Sequence, residues 1–259
     1  VNIRPLRHSV RPSPVFLVIV AFTIAGGVVS WLAAESVRPL AYVGVFTFVV
    51  AGWLVSLCLH EFGHAYTAWR FGDHDVAMRG YLTLNPLKYS SPLLSLGLPL
   101  LFIALGGIGL PGGAVYVRTA FMTPRQRTLV SLAGPAANLV LAIVLLAAVR
   151  AFYDPGHGVF WSALAFLGFL QITALLLNLL PIPGLDGYGA LEPHLSPETQ
   201  RAVAPAKQFG FLFLIVLLLA PALNQWFFSV VFWFFDLSGV PAPLASIGAQ
   251  LTRFWSAWV

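Results

Sequence analysis

Four apolar stretches of membrane-crossing length, Val15 to Ala34, Ala41 to Trp69, Leu129 to Val149 and Val159 to Leu180, limit what this chain can fold into. About 20 apolar residues in a helix cross the ~30 Å hydrocarbon core of a bilayer. Lipid offers the backbone no hydrogen-bond partners, so such segments must be helices that satisfy their own amides. Two further spans are expected from Val203 to Leu223 and from Trp226 to Leu244, with Asn224-Gln225 as the turn between them. Composition agrees: 59% of the residues are hydrophobic and only 9% are charged, too little polar surface for a soluble domain. The expected fold class is an all-α polytopic membrane protein. No linker, repeat or charge run divides it, so a single membrane-embedded domain is expected over residues 1–259. The first stretch lacks a small-residue cleavage site and reads as a retained span.

Leu93 to Leu110 is also long enough to cross, but Pro92, Pro99, Pro111 and a cluster of glycines interrupt it. Charge decides its expected path. If it dips in and returns, and the amino terminus is cytoplasmic, twelve of the fourteen Lys and Arg face the cytoplasm and only Arg38 and Arg150 do not. A full crossing makes the split seven to seven. The positive-inside rule therefore predicts a re-entrant element after the second helix, six transmembrane helices and both ends in the cytoplasm. The net charge of +5 is dispersed over short loops as a topology signal and implies no nucleic-acid partner. The lone cysteine, Cys58, excludes an intrachain disulfide framework and is read as packing. Trp31, Trp69, Trp161 and Trp226 are expected at the membrane interfaces. Trp255 and Trp258, near Arg253, suggest a tail on the surface.

The chemistry lies at the end of the second span, in "HEFGH". His60 and His64 stand four apart, so on a helix they share a face and can grip one metal ion. Glu61 lies beside them, placed to act as a general base, which is the His-Glu-x-x-His arrangement of zinc peptidases. A catalytic zinc usually takes three protein ligands. His8, His74, His157 and His194 fall in loops or at the terminus and read as solvated. Asp186 is the better third ligand. It follows "NLLPIPGLDGYG", where Pro181 and Pro183 must break the helix, and broken backbone at membrane depth is tolerated where it lines a cavity. With the re-entrant path, the helix carrying His60 and the helix leading to Asp186 end at the same depth. With a full crossing they would lie about 30 Å apart.

Three motifs in this order, HEFGH at His60 to His64, "SLAGPAAN" at Ser131 to Asn138 and NLLPIPGLDG at Asn178 to Gly187, resemble the site-2 protease family of intramembrane zinc metalloproteases. The resemblance covers a catalytic core of about residues 41–189. It implies one Zn2+ per chain on His60, His64 and Asp186, with Glu61 as the base. It also implies that Asn178 helps hold substrate. "GGAVYV", Gly112 to Val117, looks like the family's strand-forming element, with Gly113 and Val115 beside the substrate. Asn138 is a weaker substrate-binding candidate, because Ala133-Gly134-Pro135 can also serve close helix packing alone. No segment is large enough for the PDZ or CBS domains of some members. The implied activity is hydrolysis of peptide bonds in or near the transmembrane segments of membrane proteins, such as anti-sigma or signalling factors. The implied setting is a multi-pass protein of the cell membrane whose site opens to the cytoplasm; a homo-oligomer is compatible with it. The rival is a metal transporter or sensor using the same His/His/Asp ligands. A transit path needs polar groups on both sides of the midplane, and the first and last two spans offer few.

Overall fold

The computed structural model describes residues 10–33, 38–89 and 115–257. Its first helix starts on a local signal. Ser13 Oγ accepts the Phe16 amide N–H at 3.1 Å, and Pro14 occupies the first turn, where no amide proton is needed, opening α1 (Pro14–Leu32). α2 (Arg38–Arg70) runs 33 residues, about 50 Å at 1.5 Å per residue. α3 (Pro124–Phe152) opens on a capping box in which Thr123 and Gln126 each satisfy the other's backbone amide. α4 (Gly158–Leu179) follows. These four are long and apolar enough to cross a membrane.

Small residues let the helices approach closely. A Cβ at Gly44 of α2 would lie 2.9 Å from the Ser30 amide nitrogen of α1, and one at Gly63 would lie 2.7 Å from the Ala133 carbonyl oxygen of α3. α4 is the central helix. Its Leu170 and Leu177 are fully buried with Val45 and Val49 of α2, while α1 leaves Leu17, Phe22 and Ile24 exposed. An apolar surface of that kind is what lipid would solvate.

Beyond α4 come α5 (Asp186–Leu191), α6 (Pro197–Val203), α7 (Gly210–Leu219), α8 (Pro221–Asp236) and α9 (Ala242–Thr252). The two expected late spans are not seen as continuous helices. The break falls at Ala220–Pro221 rather than at Asn224-Gln225, which lies inside α8, because proline cannot continue the α7 hydrogen bonding. Gly210 adjoins Gly184, below α4, whereas Gly239 adjoins Arg150 at the other end of α3. α7 and α8 together therefore run the length of the bundle once. α9 then packs on the far part of α4, with Gly248 against Phe166, and Phe254 meets Phe46 of α2 at a ring distance of 4.8 Å. The described carboxyl end thus stays away from the end it was expected to rejoin, and a sixth crossing is not seen among the described residues.

Trp161, in the first turn of α4, is buried and edge-on to Trp31. One smaller expectation also changes. No strand occurs among the described residues. Of the expected strand, Gly113 lies outside the described residues. Val115 to Val117 carry no ladder bonds, and the amides around them go to carboxylates instead: Val115 N–H to Glu61 and Arg118 N–H to Asp73. The Leu93 to Leu110 stretch and Trp258 also lie outside the described residues.

Candidate metal centre

α2 carries His60 and His64 one turn apart, both buried and facing α3. Each ring has its outer nitrogen occupied. His64 Nδ1 meets the Val130 carbonyl oxygen at 2.7 Å, and His60 Nδ1 meets Asn138 Oδ1 at 2.6 Å. Both oxygens only accept, so both imidazoles carry their proton on Nδ1 and present a bare Nε2 lone pair. α3 can come this close because residue 134 is glycine: a Cβ there would collide with Nε2 of both rings. The Ala133-Gly134-Pro135 motif is therefore a packing device, and it packs against the two histidines.

Asp186 arrives from the broken end of α4. Pro181 and Pro183 stop the helix, and Gly184 takes φ 101°, a left-handed conformation open to glycine. The chain then turns back so tightly that a Cβ at Gly187 would strike the Leu179 carbonyl. This brings Asp186 Oδ2 to 3.2 Å from His60 Nε2 and 3.4 Å from His64 Nε2, while the two Nε2 atoms are 3.1 Å apart.

Three lone-pair atoms thus face one another with no proton to share. Asp186 Oδ2 is buried without a hydrogen-bond partner among the described residues. Such an arrangement is repulsive unless a cation sits at its centre. A tetrahedral ion with bonds of ~2.0–2.1 Å sets its ligand atoms roughly 3.3 Å apart, which matches the observed triangle. Two nitrogens and one carboxylate oxygen suit zinc in a site with a fourth position left open. Among the described residues, these three form the one such cluster.

Glu61 is buried beside this triangle but outside it, its Oε2 accepting the Val115 N–H at 3.0 Å. A cavity of about 750 Å³ opens onto the group, lined by His60, Glu61, His64, Asp186, Asn178 and Lys207, with Val115 to Val117 along one wall. Asn178 makes no hydrogen bond to a described residue. Asn138 does not line this cavity. It is bonded behind His60, so its contact is with that ring rather than with the cavity. The other described histidines join nothing here: His157 stacks on Trp31 at 3.6 Å, and His194 pairs with Thr128 at 2.9 Å. His8 lies outside the described residues. Cys58 is buried, as a packing residue should be.

Sequence reasoning missed Gln171 and Ser56, which continue the hydrogen bonding from Asn138. The available signal was a carboxamide in the middle of the mostly apolar α4, since such groups rarely face lipid.

A hydrolytic metal centre built on helices apolar enough to cross a membrane defines a membrane metallopeptidase. The chain belongs to peptidase family M50. The family's profile matches residues 48–154, which take in the two histidines, Glu61 and Asn138 and stop short of Asp186. Three relatives carry names of the form "Putative zinc metalloprotease". Rip2 of Mycolicibacterium smegmatis is 74% identical over 257 residues, covering 99% of each chain. Rip2 of Mycobacterium tuberculosis is 71% identical over 252 residues, covering 97% of each. YwhC of Bacillus subtilis is 34% identical over 185 residues, covering 67% of this chain and 81% of its own. No solved structure matches the chain.

Proposed function

We propose that this chain is a single-domain intramembrane zinc metallopeptidase that cuts membrane proteins in or near their transmembrane segments. The observation that carries this reading is the triangle of His60 Nε2, His64 Nε2 and Asp186 Oδ2, three bare acceptors at one point beside a buried carboxylate that is not among them. When bound there, zinc supplies Lewis acidity, lowering the pKa of a water toward ~7 and polarising a carbonyl. Glu61 takes a proton from the attacking water and passes it to the leaving nitrogen. The Val115 N–H fixes one oxygen of Glu61 and leaves the other for this exchange. Asn178 has its amide free of described partners and holds the substrate backbone in the cavity. A substrate helix must unwind to enter, because an intact helix keeps its carbonyls bonded and shielded. Single-span proteins, such as anti-sigma or signalling factors, are the substrate class. Co-expression with such proteins should give cuts that map within or beside the span and vanish on zinc chelation. Cleavage that survives zinc removal, or that falls only in soluble loops, would overturn the reading.

The proposed setting is a multi-pass protein of the cell membrane whose cavity opens to the cytoplasm. About 20 residues from Leu40 reach Leu59, so His60 and Glu61 fall where α2 leaves the hydrocarbon. Arg118 N–H bonds Asp73 at 2.7 Å, which supports a connection that leaves and re-enters at one end of the bundle. With α7 and α8 as one crossing, five crossings are proposed, and Arg253 moves to the far side. The count of Lys and Arg becomes eleven to three, still strongly biased toward the site's end. A cysteine introduced at Arg125 should accordingly be labelled from the cytoplasm, and one at Arg150 from outside. Labelling of both from one side would break this topology.

A further inference from the structure

We infer that Gln171 and Ser56 are positioning residues that decide which nitrogen of His60 carries its proton. The inference rests on reading His60 as a zinc ligand. The two ends of a carboxamide are nearly equal in shape, so packing alone cannot orient the Asn138 amide. Its direction matters. With Oδ1 on His60 Nδ1, the proton stays at Nδ1 and Nε2 is bare. With the –NH2 there instead, Nδ1 must accept, the proton moves to Nε2, and the metal position is blocked.

The direction is set from a backbone carbonyl three links away. The Trp53 carbonyl can only accept, and the Ser56 hydroxyl gives it its single proton at 2.7 Å. Toward Gln171 the Ser56 oxygen can then only accept, which it does from Gln171 Nε2 at 3.0 Å. Gln171 is thereby turned with its carbonyl toward Asn138, accepting Asn138 Nδ2–H at 2.8 Å. That commits the Asn138 –NH2 and leaves its oxygen for His60 Nδ1–H at 2.6 Å. Ser56, Asn138 and Gln171 are all buried, so no solvent competes for these bonds. The relay crosses α4, α3 and α2. His64 needs none, because the Val130 carbonyl holds its Nδ1 directly.

The test uses the full chain in detergent, with zinc affinity measured by chelator competition and the His60 tautomer by nitrogen NMR of labelled histidine. Gln171→Met keeps the volume but removes both polar ends. It should give mixed His60 tautomers before zinc is added and weaken zinc binding in proportion to the Nδ1–H fraction that is lost. Asn138→Asp, an acceptor whichever way it turns, should hold His60 as the single Nδ1–H tautomer. Gln171 can then reverse to donate to it, and Ser56 to donate to Gln171. Combining Asn138→Asp with Gln171→Met should restore the single Nδ1–H tautomer, since an acceptor cannot be misdirected; a role in packing alone predicts no tautomer mixture in Gln171→Met to be restored. If Gln171→Met does not fold, Ser56→Ala should shift affinity and tautomer in the same direction by less. The inference is overturned if Gln171→Met binds zinc like the parent with a single Nδ1–H tautomer, or if the double variant is no better than Gln171→Met. A parent chain that takes up no zinc would sink the site reading, while the His60 tautomer in the same samples would still decide the relay.

Discussion

Glu61→Gln should hold zinc as the parent does and lose cleavage by about 10²–10⁴-fold, the range that a positioned general base supplies. The two effects separate because Glu61 lies outside the triangle of ligand atoms. Glutamine keeps the length of the side chain, and its carbonyl can still accept the Val115 N–H. What it cannot do is take a proton from water and return it to a leaving amine. The assay is cleavage of a membrane-embedded substrate in detergent, with zinc content determined on the same preparations. A transporter would give another pattern, with no proteolysis in the parent and metal flux that follows the ligands. Parent-level cleavage by Glu61→Gln would remove the mechanism.

Asp186→Ala should lose zinc and cleavage together. The carboxylate is the anionic corner of the site, and without it two neutral imidazoles 3.1 Å apart must hold a divalent ion alone. The loss in zinc affinity should exceed the roughly 100-fold that removal of an outer partner can cost. The chelator competition that reads the relay variants reads this one too. Full zinc retention in Asp186→Ala would show that the broken end of α4 serves the cavity wall and not the metal.

What could be read before the fold was known depended on distance along the chain. HEFGH declares itself because helix periodicity puts residues four apart on one face. Asp186 was legible because prolines and glycines announce a broken helix locally. The four long helices followed from apolar length alone. The role of Asn138 was not legible, since a residue on α3 faces His60 only after Gly63 and Gly134 have let two helices meet. The partners of Gln171 were hidden for the same reason, although a carboxamide in mid-helix marked it as a residue that needs some. The late crossings failed differently: a hydropathy window registers how apolar Val203 to Leu244 is, and is blind to the stop that Pro221 imposes. The described part of the strand expected over Gly112 to Val117 was lost to long-range acceptors, Glu61 and Asp73, that no local pattern reveals.

Asp73 and Asp75, just past α2, hold the chain at Arg118 from two sides. Asp73 accepts the Arg118 amide N–H, and Asp75 pairs with its guanidinium at 2.6 Å. Tied at this base, the connection from 73 to 118 is closed at its ends, and Val76, Tyr81 and Leu82 of its first part pack with Val115 and Val117 of its last. Lengthening such a loop costs only closure entropy, about 0.6 kcal/mol for each doubling. The catalytic wall at Val115 sits three residues from the knot and is registered by it. An insertion into that connection beyond Tyr89 should therefore leave Glu61, His60, His64 and Asp186 where they are.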